Sequence, residues 1–162
     1  MKRENLPNFK DLIFIFLLVC IDTSLKFLVE RWIEQNTFYE FIPFFSLYLT
    51  SNSGIAFSFL DFNNSFTTYG LLAIGIIIVF FLFRFLVNAD NLLGRLAFAF
   101  IIGGAIGNLL DRAIDGVVTD FILLHFGSTS LFVFNPADLF ITVGAIFFIL
   151  NEIASNFGKT QS

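Results

Sequence analysis

Four apolar runs constrain this chain more than any other feature. They cover about residues 12–29, 67–87, 96–113 and 136–154, each near the roughly 20 residues a helix needs to cross about 30 Å of hydrocarbon. A soluble domain carries close to about a quarter charged residues. Here only 14% of 162 residues are charged while 57% are hydrophobic, including 26 Phe. The sequence therefore predicts one all-α membrane domain over residues 1–162 with four transmembrane helices. No linker, repeat or low-complexity stretch divides it. The net charge of −4 is spread over loops and termini and carries no partner information, and no basic patch suggests nucleic acid. Cys20 is the only cysteine, so no disulfide forms within one chain.

Lys2, Arg3 and Lys10 before the first run give it the look of a signal peptide. A small-residue cleavage site is missing, and Val19 is a poor neighbour for Cys20 in a lipoprotein box. The run is expected to stay as a helix. The same three basic residues also orient the chain, together with Arg84 and Arg95 around the short turn and Lys159 after the fourth run. The two long connections, residues 30–66 and 114–135, hold only Arg31 and, at a helix end, Arg112. By the positive-inside rule both termini lie in the cytoplasm and both long connections outside.

That orientation gathers every ionisable group of the four spans in the outer half of the membrane. Asp22 and Lys26 lie in the outer half of the first span, Asn108, Asp111 and Arg112 at the outer end of the third, and Asn135 and Asp138 at the outer start of the fourth. Charges at such depth are costly and mark functional sites by default. Their spacing is coherent. Asp22 and Lys26 are i,i+4 and can pair, and Asn108 shares a helix face with Asp111 and Arg112. Asn135 before Pro136 reads as an N-cap followed by proline at the first helical position. Asp138 then falls in the first turn, where the helix dipole favours its charge. Gly103 and Gly107 make a small face that another helix can approach closely. Asp22 and Lys26 alone are as well explained by bundle structure as by function. For Asp111, Arg112, Asp120 and Asp138 together, function is the better account.

The first long connection is not plain loop. Phe45 to Thr50 alternates apolar and more polar residues, the period of a half-buried strand. Asn52-Ser53-Gly54 supplies a turn and Ile55 to Leu60 a second apolar strand. A small antiparallel sheet on the outer leaflet is expected, with Trp32 and Tyr48 at the interface.

The available chemistry is narrow. His125 is the only histidine and Cys20 has no partner, so Ser–His and Cys–His catalysis lack parts, and a zinc site lacks ligands. Paired carboxylates remain. Two close aspartates do not both ionise easily, so one can act as acid and the other as base against a peptide bond. Asp111, Asp120 and Asp138 are the candidates, and spacing alone does not choose between them. The competing class is a small proton-coupled transporter, which should carry charges at the midplane and on both sides of it. A cluster on one side argues against that class.

The motifs Asp22…Lys26, Asn52-Ser53-Gly54-Ile55-Ala56-Phe57, Gly103 to Arg112, Gly116-Val117-Val118-Thr119-Asp120-Phe121 and Phe134-Asn135-Pro136-Ala137-Asp138 occur in that order over almost the whole chain. In this the sequence resembles the lipoprotein signal peptidases (signal peptidase II). Thr23, Ile55 and Thr119 depart from the residues usual in that family, without removing a group the chemistry needs. The resemblance implies an aspartic endopeptidase of the bacterial inner membrane. Such an enzyme cleaves prolipoproteins on the amino side of a diacylglyceryl-modified cysteine, in contact with membrane lipids and with no cofactor or metal. It also implies that Asp120 and Asp138 are the catalytic pair. Asp22, Lys26, Asn52, Gly54, Asn108, Asp111, Arg112, Asn135 and Ala137 then become substrate-binding or supporting residues.

Overall fold

A computed structural model describes residues 7–54 and 65–160. It contains four long helices, α1 (Phe9–Trp32), α2 (Ser65–Asn88), α3 (Leu92–Ile114) and α4 (Pro136–Thr160). All four are long and apolar enough to cross a membrane. Each runs a few residues past the span read from hydropathy, and in α1 and α3 the start is capped by an asparagine. Asn8 accepts from the Lys10 amide at the start of α1, and Asn91 from the Gly94 amide at the start of α3. At the other end of α3, Gly116 takes a left-handed φ of 78° and its amide reaches back to the Arg112 carbonyl at 3.1 Å. A glycine at that position stops the helix without the steric penalty of a side chain.

α3 is the centre of the bundle. Ile102 and Ala99 are buried against Ile15 of α1 and Leu86 of α2, with Phe14, Val79 and Phe98 packed around them. Its small face works as the sequence predicts. A Cβ on Gly107 would stand 2.5 Å from the Asp22 carboxylate and 3.4 Å from the Ala137 side chain, so α1 and α4 both press against this glycine. The longer helices also take in Asp11 and Arg95, which form an ion pair far along the bundle from Asp22. Arg84 near the end of α2 and Glu152 well past the start of α4 also lie away from the end that holds Asp22 and Asp138, so the expectation that all ionisable groups of the spans share one end fails for these four residues.

A single antiparallel sheet sits where α1 and α3 end and α4 begins. Its strands β1 (Phe38–Ile42), β2 (Phe45–Asn52), β3 (Val118–Phe126) and β4 (Thr129–Phe134) lie in the order β1-β2-β3-β4. β2 is the strand read from alternation. Its partners are β1 and β3; the second strand expected from Ile55 to Leu60 lies outside the described residues. The turn expected at Asn52-Ser53-Gly54 is present: the Gly54 amide donates to Asn52 Oδ1 at 3.0 Å. β2 does not keep one apolar face. A register shift between Leu47 and Thr50 changes which residues face inward, a β-bulge effect. Ser46 is consequently buried, and its hydroxyl meets His125 Nε2 at 2.9 Å.

Candidate active site

β3 enters the sheet directly after α3, and the β2–β3 register sets Thr50 opposite Asp120 and Asn52 opposite Val118. Asn52 is therefore a diagonal, same-face neighbour of Asp120, and its Nδ2 donates to Asp120 Oδ2 at 2.9 Å. Asn135 approaches from the other side and donates through Nδ2 to Asp120 Oδ1 at 2.6 Å.

Asn135 is also the cap of α4. Its Oδ1 accepts from the Asp138 amide at 2.9 Å, and its own amide donates to Asp138 Oδ2 at 3.3 Å. This is a reciprocal capping box with aspartate in the third helical position. One fully buried asparagine thus touches both carboxylates, Asp120 by its side chain and Asp138 by its backbone. Asn108 closes the ring from α3. Its Nδ2 donates to Asp138 Oδ1 at 2.9 Å, and its Oδ1 accepts from Asn135 Nδ2 at 3.2 Å and from Lys26 Nζ at 3.1 Å. Each amide has one orientation that satisfies every partner, so the network fixes both side chains.

Beneath this ring lies an ion triad. Lys26 Nζ is 2.8 Å from Asp22 Oδ2 and 2.8 Å from Asp111 Oδ2, and all three side chains are largely buried. Asp22 also accepts from the Ala137 amide through Oδ1 at 2.9 Å. Ala137 is fully buried, with its side chain facing Gly107 of α3. Asp111 engages Lys26 and the Thr119 amide, at 3.2 Å, and not its neighbour Arg112. Arg112 points to the loop after β2, where its Nη2 donates to the Gly54 carbonyl at 2.8 Å and its Nη1 to the Asn108 carbonyl at 3.5 Å. All eleven residues singled out in the sequence are therefore joined in one network.

Burial pushes the Asp120 carboxyl up to about 6. The Asp138 charge adds to this, while the Asn52 and Asn135 hydrogen bonds and the Lys26 charge oppose it. Desolvation wins because Asp120 is only 3% exposed. Among the described residues, no group of three or more His, Cys, Asp or Glu side chains is placed to hold a metal ion. The chemistry on offer is proton transfer between two carboxyls held by amides.

The family profile for signal peptidase (SPase) II matches residues 14–154. The chain belongs to the signal peptidase II family. Lipoprotein signal peptidases of Brucella ovis and Brucella abortus are each 42% identical to it over 154 residues, covering 94% of this chain and 93% of theirs. A solved bacterial membrane enzyme superposes with a TM-score of 0.83 at 26% identity, covering 96% of this chain and 95% of that one. A second has a TM-score of 0.77, also at 26% identity, covering 91% and 96%. Membership decides between the two classes left open by the sequence: this is a multi-pass membrane peptidase of the aspartic type, not a transporter. One residue tied to this network, Glu30, carries no signal in the sequence. Glu30 accepts a hydrogen bond from the Thr119 hydroxyl, a contact between distant segments that no local spacing announces.

Proposed function

We propose that Asp120 and Asp138 are the catalytic pair of a peptidase that removes signal peptides from prolipoproteins, cutting on the amino side of a diacylglyceryl-cysteine. The observation that carries this reading is the buried bridge through Asn135, which touches both carboxylates at once. Asp120 is assigned the shared proton, since burial favours its neutral form and raises its carboxyl to about 6. Asp138 takes a proton from water, and the resulting hydroxide attacks the scissile carbonyl. Asp120 protonates the carbonyl oxygen as the tetrahedral intermediate forms; as the C–N bond breaks, Asp138 returns its proton to the departing amine and Asp120 takes its own proton back from the gem-diol, which collapses to the carboxyl product. Asn52, Asn108 and Asn135 hold the two carboxyls. Arg112 and Gly54 line the approach of the peptide, and Asp22, Lys26, Asp111 and Ala137 support the elements beneath.

The test is a pH profile of kcat/KM. A pair sharing one proton gives a bell belonging to the pair, inactive when both carboxyls are protonated and inactive when both are ionised. With Asp120 near 6, the alkaline limb is expected to fall as pH rises through that region. An alkaline limb set by a group near 10, or no limb at all, would remove Asp120 from the acid role.

The same reading sets the sheet and the catalytic pair at the extracytoplasmic face of the bacterial inner membrane, with both termini inside. Its support is the asymmetry of basic residues between the short turn and the long connections. Cysteines placed singly at the exposed Ser128 and Asp90, in a Cys20→Ser background, test it in intact cells. Ser128→Cys is expected to react with a membrane-impermeant thiol reagent, and Asp90→Cys only after lysis. The reverse pattern would move the site away from the face where substrate is presented.

A further inference from the structure

One stripe of α1 reaches all three elements that carry the site. Asp22, Lys26 and Glu30 follow one another at intervals of four residues, so they share a face of the helix. Asp22 accepts the amide of Ala137, the residue before Asp138. Lys26 engages Asn108 and Asp111 of α3. Glu30 accepts the hydroxyl of Thr119, the residue before Asp120. The position preceding each aspartate of the proposed pair is thus tied to an acid on the same helix. These two acids stand eight residues apart, about 12 Å at 1.5 Å per residue.

Thr119 is doubly held. Its amide donates to Asp111 Oδ2 at 3.2 Å, and Asp111 is paired with Lys26, so both ends of the Thr119 link return to α1. Thr119 is 8% exposed, whereas Glu30 lies exposed at the helix end. Fixing a strand residue by both amide and side chain limits how far β3 can slide or rotate. In a strand the side chains of Thr119 and Asp120 point to opposite faces, so the link sets the position of Asp120 without occupying its site.

We infer that Thr119 and Glu30 are positioning residues: their hydrogen bond sets the place of Asp120 against Asp138, with α1 acting as the ruler between the two aspartates. The inference rests on the assignment of Asp120 and Asp138 as the pair. Small misplacements of reacting groups cost rate out of proportion to their size, and the cost falls on the chemical step.

A double-mutant cycle on the full-length protein in detergent, using a diacylglyceryl-modified prolipoprotein, tests it. Thr119→Val keeps shape and loses the donor, and Glu30→Ala loses the acceptor. Each is expected to lower kcat about tenfold while KM stays within about twofold. The double variant should be no worse than either single one, because both remove the same bond. Thr119→Ser, which keeps the hydroxyl, should restore kcat to within about twofold of the starting protein. A purely structural role would instead lower thermal stability with kcat intact, and that result overturns the inference. So does full multiplicativity of the two single losses. Asp120→Asn is run alongside: if it stays active, the pair assignment has failed, whereas an inactive Asp120→Asn beside a fully active Thr119→Val sinks the positioning role alone.

Discussion

Asp120→Asn and Asp138→Asn are each expected to reduce cleavage by about a thousandfold or more, since general acid–base catalysis contributes about 10²–10⁴ and the pair acts as a unit. The amide keeps the size of the side chain but can neither accept nor release the proton. The loss must appear in folded protein, and the electrostatics of Asp120 supply an independent check. Its carboxyl is raised from 3.8 to about 6, which at 1.36 kcal/mol per pKa unit is roughly 3 kcal/mol. Because the folded-state value lies above the unfolded one, this contribution is fully present below about pH 4 and is lost as pH rises through about 6. Above that range native Asp120 ionises against its desolvation, and asparagine does not. Asp120→Asn should therefore gain thermal stability relative to the native protein between pH 4 and pH 8 while remaining inactive. Activity near the native level in either variant would exclude that residue from the pair.

Lys26→Met should have the largest effect on folding. Lys26 is 3% exposed and lies 2.8 Å from both Asp22 and Asp111. Its removal leaves two carboxylates in a closed space without a counter-charge. Breaking a buried ion pair from one side costs about 3–5 kcal/mol, a large share of the stability of an ordinary domain. Asp22 also caps the Ala137 amide, so the entry of α4, and with it Asp138, is disturbed at the same time. The expected outcome is a sharply lowered unfolding temperature in detergent and a low yield of monodisperse protein. A Lys26→Met variant as stable as the native protein would show that the triad does not hold the bundle.

Much of this arrangement was legible because its signals are local. Asn135-Pro136 announces a helix start within two residues, and the cap is found with both hydrogen bonds in place. Asp22 and Lys26 are one helical turn apart and pair as that spacing predicts. The sheet was only half legible. β3 is buried on both faces over Val118 to Phe121, so it lacks the period-two alternation that marks a half-exposed strand. Its partner β2 lies on the far side of two helices, and pairing over such separations leaves no short-range trace. Asp120 and Asp111 could not be ranked from spacing for the same reason. Only the β2–β3 register turns Asp120 toward Asn52 and Asn135, while Asp111 is turned toward Lys26. Ser46 shows a third kind of failure, in which a bulge carries a polar residue inward and His125 then satisfies it.

The most direct measurement is the mass of the products when purified protein meets a diacylglyceryl-modified prolipoprotein, with a metal chelator present throughout. The expected result is a new mature chain beginning at the lipidated cysteine, formed by the native protein and not by Asp120→Asn or Asp138→Asn. Absence of that product from well-folded native protein, or its appearance only after a divalent metal is restored, would contradict an aspartate pair as the catalytic centre.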